Sequence, residues 1–188
     1  MNKSILVCGV GGQGTILASK VMACAAMDKG YPVKTAETIG MAQRGGSVFS
    51  HLRFGENVFS PLIGKGDADL IIGFEPGEAV RMLPFLKKDG AVVVSNRAVM
   101  PVTASLSDFG YNAEEMISFL KSQVENVIVV DTDKAFEELH SSKVLNIVLL
   151  GAAIKSGQLG LDKDDIKAAI AKKVPEKFRE LNHRALEI

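Results

Sequence analysis

The feature that most constrains this chain lies at its start. A short apolar run, Ser4-Ile-Leu-Val-Cys-Gly9, passes directly into the loop Gly9-Val-Gly-Gly-Gln-Gly14. An alanine-rich helix is expected to follow from Thr15 to Lys29. A continuous apolar run of this length reads as a strand buried on both faces. The helix carries Leu17, Val21 and Cys24 on one side, and alanines 18, 23, 25 and 26 let it lie close to a sheet. Gly30 supplies the left-handed residue that ends such a helix. Pro32 to Thr38 reads as the next strand, so the first 38 residues predict a βαβ unit with a glycine loop at its first turn.

The same alternation continues. Strands are expected at Ser47–Phe54, Val58–Ile63, Ala68–Phe74, Ala91–Ser95 and Val127–Asp131. The second of these is the returning arm of a hairpin, confined to an edge by Pro61. Helices are expected at Glu75–Leu86, Asn112–Lys121, 132–140, 143–155, 162–173 and 176–186, and residues 96–111 read as irregular. Strands alternating with helices predict a Rossmann-like α/β fold: a mainly parallel sheet, helices on both faces, and a β-hairpin addition near residues 47–63. No repeat or linker divides the 188 residues, so 1–188 reads as one domain.

Composition then excludes whole classes. Lys plus Arg equals Asp plus Glu at 22 each, so there is no basic excess to drive nucleic-acid binding. The mean hydropathy is +0.17, yet no apolar run reaches the roughly 18 residues of a membrane span. The longest, Val144 to Ile154, is interrupted by Asn146 and Gly151. The N-terminal apolar piece is too short for a signal peptide, so a cytoplasmic protein is expected. Cys8 and Cys24 form no metal-ligand spacing with each other or with the three histidines. A [4Fe–4S] cluster takes four thiolates, so this chain alone does not carry one in the usual way.

Gly9-x-Gly11-x-x-Gly14 has the dinucleotide spacing in the required strand-to-helix context. Glu37 lies 23 residues beyond Gly14, where a carboxylate could accept hydrogen bonds from a ribose. The Gly9-x4-Gly14 spacing also fits a P-loop, but Thr15 stands where the phosphate-binding lysine belongs. The alternative to ligand binding is that the glycines only let helix and strand approach. Gly12 and Gln13 depart from a plain NAD site. A second loop follows the second strand, Ile39-Gly-Met-Ala-Gln43-Arg44-Gly45-Gly46-Ser47. It reads either as an anion nest, with a guanidinium and backbone N–H groups converging, or as a tight turn with a solvated arginine. On one sheet edge, the two loops would frame one site.

Other polar residues carry less. Ser47, Phe49, His51 and Arg53 alternate onto one strand face, expected to be a solvated or interface-facing stripe. Glu75 is placed to cap the helix after it. Asp67 and Asp69 are too few for a metal. His140 and His183 sit in helical segments away from any acid–base partner. Met22, Met27 and Met41 read as core filler.

Taken together, four stretches resemble the gamma-type subunit or domain of 2-oxoacid:ferredoxin oxidoreductases: Gly9-Val-Gly-Gly-Gln-Gly14, Gly40-Met-Ala-Gln-Arg-Gly-Gly-Ser47, Ala68-Asp-Leu-Ile-Ile-Gly-Phe-Glu-Pro76 and Asn146-Ile-Val-Leu-Leu-Gly151. The Met-Ala-Gln-Arg-Gly-Gly form of the second loop is most similar to the small subunit of the indolepyruvate branch. Leu139-His-Ser-Ser142 departs from the Gly-Asn pair that relatives often have. The resemblance implies oxidative decarboxylation of aryl 2-oxo acids such as indolepyruvate, with coenzyme A taking the acyl group and ferredoxin the electrons. It implies thiamine diphosphate and [4Fe–4S] clusters on a large partner subunit, and no activity for this chain alone. Gly9, Gly11, Gly12, Gln13, Gly14, Glu37, Gln43, Arg44, Gly45, Gly46 and Ser47 are then the candidate binding residues, with no catalytic or metal-binding residue expected. Two other readings stand beside it: a self-sufficient NAD(P)-binding dehydrogenase, and a small nucleotide-binding regulatory module.

Overall fold

The computed structural model describes residues 1–37, 45–100 and 110–188. Among them, six strands form one sheet: β1 (Asn2–Val10), β2 (Val33–Glu37), β3 (Ser47–Gly55), β4 (Ala68–Gly73), β5 (Leu86–Ser95) and β6 (Asn126–Val130), in the order β2-β3-β1-β4-β5-β6. The pairs β1–β4, β4–β5 and β5–β6 are parallel. Only β3 runs against its neighbours, antiparallel to both β1 and β2. The helices are α1 (Thr15–Asp28), α2 (Pro76–Met82), α3 (Ala113–Gln123), α4 (Thr132–Leu139), α5 (Leu145–Lys155), α6 (Lys163–Lys173) and α7 (Glu176–Glu187).

Side-chain alternation along β1 explains the layers. Ile5 and Val7 face one apolar cluster, with Val21 and Met22 of α1, Ile147 of α5 and Ile166 of α6. Leu6 and Cys8 face the other, with Ala79 of α2 and Leu120 of α3. All four β1 residues are fully buried, which is the two-sided burial that the continuous apolar run predicts. Helix α1 ends as expected. Gly30 takes φ 83°, and the Tyr31 N–H reaches the Ala26 carbonyl at 3.1 Å, the bond that closes a left-handed helix end.

Three expectations need correction. First, β1 and β2 are not neighbours, because β3 lies between them. Burial explains the choice. β3 buries Val48, Leu52 and Phe54, whereas β2 exposes Lys34 and Thr35, and the more polar strand takes the edge. The antiparallel addition is therefore β2 with β3, and Val58–Ile63 is not a strand. Second, the helix after β4 stops at Met82 and continues as a 3-10 turn, Leu83–Phe85, since Pro84 has no N–H to extend it. Third, β5 begins at Leu86 rather than at Ala91, so Asp89-Gly90, a pair that elsewhere favours a turn, does not turn the chain. It lies inside β5, where the register jumps from Ala68↔Leu86 to Leu70↔Ala91.

Residues 58–67 are instead held against the sheet by the stripe expected to be solvated or interface-facing. His51 is buried, and its Nδ1 accepts from the Ile63 N–H at 3.2 Å. Its ring meets Phe49 and Phe85 edge-on. Arg53 donates to the Leu62 carbonyl at 3.1 Å and to Ser4 Oγ at 3.2 Å, and pairs with Asp67 at 3.4 Å. Met22 fills the core, whereas Met27 is exposed and Met41 lies outside the described residues. No helix among the described residues is long and apolar enough to cross a membrane.

Burial holds the His51 imidazole below its ordinary pKa of 6.5. The unfolded chain therefore binds that proton more readily than the folded one. Stability should be level above neutral pH and fall as pH drops below about 6.5, by at most about 1.4 kcal/mol per pH unit for one proton. Urea unfolding midpoints between pH 8 and pH 5 check this. His51→Gln, which keeps an acceptor for Ile63 without titrating, should flatten the slope.

Candidate functional site

The glycine loop leaves β1 at the carboxyl end of the sheet. On either side of it the chain departs to opposite faces: α1 covers one cluster, and α2 after the neighbouring β4 covers the other. This divergence is where open α/β sheets place their ligand crevice.

The Gln13 side chain closes that crevice from inside. Its Oε1 accepts from the Val10 N–H at 2.7 Å, and its Nε2 donates to the Phe74 carbonyl at 3.2 Å. It thereby ties the end of β1 to the end of β4. The Phe74 N–H adds a bond to the Cys8 carbonyl at 2.8 Å. A methyl group on Gly9 would sit 2.7 Å from both Gln13 Oε1 and Phe74 Cβ. Gly9 thus serves internal packing, and Gln13 is a structural pin. Gly12 and Gly14 have φ 101° and 92°, a conformation that costs a side-chain-bearing residue about 1–2 kcal/mol. Helix α1 starts at Gly14 with no capping side chain, so its first N–H groups are left for water or a ligand.

The second loop re-enters the described chain at Gly45, with φ 81°. Gly46 meets the first loop directly, its carbonyl accepting from the Gly11 N–H at 2.9 Å. Ser47 Oγ donates to Glu78 Oε2 at 2.5 Å, and Arg81 pairs with the same carboxylate at 3.4 Å. A recess of about 300 Å³ opens beside this junction, lined by Gly11, Gly12, Gly14, Thr15, Ile16 and Val48. Gln43 and Arg44 lie outside the described residues.

Glu37 is not brought to this place. It ends the edge strand β2 opposite Ser50, which in turn faces Val7 of β1. It therefore stands two strands away, about 10 Å, and about 10 Å short of the loop along the strand direction. The inserted β3 separates the acid from the glycines that a ribose-and-pyrophosphate ligand would have to bridge.

Beneath the loops two carboxylates are buried, Glu75 and Glu78. Glu75 is fully buried and caps α2 as expected, its Oε2 accepting from the Glu78 N–H at 2.9 Å. Burial pushes its carboxyl above the ordinary range, opposed by the Tyr111 hydroxyl. Cys8 is buried, and burial first, then the charges of Glu78 and Glu75, push its thiol well up. It is an unreactive thiol. Cys24 belongs to the opposite cluster. The two thiols therefore cannot share a metal or cluster, and no group of three His, Cys, Asp or Glu among the described residues could hold one. An iron–sulfur cluster does not fit this chain.

Comparison with known proteins decides the family. The profile described as pyruvate ferredoxin/flavodoxin oxidoreductase matches residues 4–188. The chain belongs to the pyruvate ferredoxin/flavodoxin oxidoreductase family. It is 36% identical to the indolepyruvate oxidoreductase subunit IorB of Thermococcus kodakarensis, over 98% of this chain and 93% of that protein. It is 37% identical to the subunit of the same name from Archaeoglobus fulgidus, over 100% of this chain and 94% of that protein. The gamma subunit of a keto/oxoacid ferredoxin oxidoreductase from Geobacter sulfurreducens shares the fold, with a TM-score of 0.74 at 23% identity, over 100% of this chain and 93% of that one.

Like other members of an oxidoreductase family built from subunits, this chain is a component of an enzyme complex. The free-standing NAD(P) dehydrogenase is not favoured, and the displacement of Glu37 gives the physical reason. Sequence reading missed three residues that border the loop on its other side, Arg97, Lys143 and Asn146. Asn146 had a signal: it is the one polar side chain before Lys155 in the otherwise apolar α5.

The pin predicts a stability effect. Gln13→Glu keeps the acceptor for Val10 but replaces the Nε2 donor by an oxygen facing the Phe74 carbonyl. It should cost about 1–3 kcal/mol, measured by urea unfolding of the full chain, whereas Gln13→Glu with a purely solvent-exposed side chain would leave the midpoint unchanged.

Proposed function

We propose that this chain is the small, gamma-type subunit of an indolepyruvate-type 2-oxoacid:ferredoxin oxidoreductase, acting as one domain over 1–188 in the cytoplasm. The reading is supported chiefly by the similarity to indolepyruvate oxidoreductase subunits along nearly the whole of both chains. In the proposed reaction, an aryl 2-oxo acid loses carbon dioxide, coenzyme A takes the acyl group and ferredoxin takes the electrons. Thiamine diphosphate and [4Fe–4S] clusters would reside on the large partner subunit, where they supply the carbanion and electron-transfer chemistry. The poor fit of this chain's two thiols to a cluster agrees with that division.

The contribution of this chain is binding. The junction of the two loops offers backbone N–H groups at the uncapped start of α1, a partial positive charge suited to a pyrophosphate. Coenzyme A carries such a group. Gly11, Gly12, Gly14, Gly45, Gly46 and Ser47 would shape the cradle, and Arg44 would contribute positive charge to binding the phosphate. Gln13 would act by holding the loop rather than by touching the ligand, and Glu37 has no part in it.

The test is an anaerobic pull-down of the tagged chain from its own host, followed by an assay of indolepyruvate- and coenzyme A-dependent dye reduction. A larger iron–sulfur chain co-eluting with that activity is the expected result. The chain eluting alone and inactive would overturn the assignment. In the assembled enzyme, Arg44→Ala should lower coenzyme A-dependent turnover about tenfold or more through loss of a charge-assisted contact, with unfolding unchanged. Unaltered kinetics would remove Arg44 from the cradle.

A further inference from the structure

Ser47 begins β3 at the rim of the sheet, and its partner Val10 is the last residue of β1. The second loop enters the ladder here, one residue after the Gly46 carbonyl takes the Gly11 N–H. Whatever fixes Ser47 therefore fixes where the two loops meet.

Ser47 does not act from inside the recess. Its side chain alternates with that of Val48, and Val48 borders the recess beside Gly11 and Gly12, whereas Ser47 does not. The Ser47 hydroxyl lies on the α2 side instead, 2.5 Å from Glu78 Oε2. A serine hydroxyl has one hydrogen, and Ser47 gives it to that carboxylate. It keeps only lone pairs, and has no donor left for a phosphate.

Glu78 is well placed to anchor it. It is 4% exposed and sits in the first turn of α2, where its own N–H is taken by the Glu75 cap at 2.9 Å. Helix α2 is packed closely against its neighbours. A Cβ on Gly73 would lie 2.7 Å from Ala79 Cβ, and one on Gly77 would collide with the Tyr111 hydroxyl. The bond from Ser47 is charge-assisted and largely closed to water, the stronger class of hydrogen bond. The exposed Arg81 adds a 3.4 Å pair to the same oxygen, which at the surface contributes little. With Gln13 this closes a circuit around the glycine loop. Gln13 joins that loop to Phe74, Phe74 leads into Glu75 and α2, and Glu78 joins α2 to the second loop.

We infer that Glu78 is a positioning residue: through Ser47 it holds the second loop against the glycine loop, and neither side chain touches the ligand bound there. Coenzyme A as that ligand rests on the function proposed above, whereas the brace itself does not.

Two readouts on the assembled enzyme test this. Ser47→Ala and Glu78→Met each remove the bond. Without coenzyme A, hydrogen exchange at the Gly11 amide should quicken several-fold in both variants. With coenzyme A, its KM should rise roughly tenfold at unchanged kcat, since the cradle is displaced while the reacting centre is not. The double variant should be no worse than the worse single one, because both changes break one interaction. Ser47→Thr keeps the hydroxyl and Glu78→Gln keeps an acceptor, so both should retain most of the parent behaviour in exchange and in KM. Should Glu78→Met fail to fold, Ser47→Ala against Ser47→Thr carries the test. Unchanged exchange in Ser47→Ala, an equal loss in Ser47→Thr, or effects that multiply in the double variant would overturn the proposal. Faster exchange in Ser47→Ala with an unmoved coenzyme A KM would uphold the brace and remove coenzyme A from the cradle, so the two readings fail separately.

Discussion

The structure depends on β1 having no side open to water. Its backbone is paired from Asn2 to Val10 with β3 on one flank, and from Ile5 to Cys8 with β4 on the other. Ile5, Leu6, Val7 and Cys8 are fully buried on the two faces. A strand so placed has to end abruptly, because a buried backbone that leaves the ladder must find new partners for every N–H and carbonyl. Gln13 answers that requirement for Val10, and the same side chain reaches across to Phe74. The loop is thereby fixed by its own glutamine before any ligand arrives, and the starts of α1 and α2 are set relative to each other through it.

The elements were largely legible because each rests on a local cause. The two-sided apolar run gives β1, the alanine-rich stretch ended by Gly30 gives α1, and Asn112, Asp131 and Asp162 each cap the helix that follows. What was not legible is non-local. Nothing in residues 33–55 taken alone says that β3 enters between β1 and β2. That follows from competition between two strands for one buried slot, which Leu52 and Phe54 win over Lys34 and Thr35. His51 and Arg53 misled for a related reason. Alternating polar residues normally mark a wet face, but here the chain from 58 to 67 returns to cover that face, and the polar atoms bond to its backbone.

At the site the same division holds. The glycine positions and the meeting of the two loops could be anticipated, because a strand-to-helix glycine turn has few conformations available. The roles within the motif could not. Spacing alone does not tell that Gln13 turns inward to bond backbone rather than outward to a ligand. Nor does it tell that Asn146, 132 positions after Gly14 in the sequence, packs beside that glycine.

This explains how a dinucleotide-type fingerprint can sit in a chain of another family. The fingerprint secures a tight exit from a buried strand and a helix start rich in free donors, and both are consequences of backbone geometry. Nicotinamide nucleotide recognition needs one thing more, a carboxylate on the adjacent strand at the level of the loop. Inserting β3 removes that carboxylate without disturbing the strand, the turn or the helix. What remains is a helix start with free donors, met by the second loop on one side and bordered by Arg97, Lys143 and Asn146 on the other. Function in such a fold is set by what borders the glycine loop, not by the loop itself.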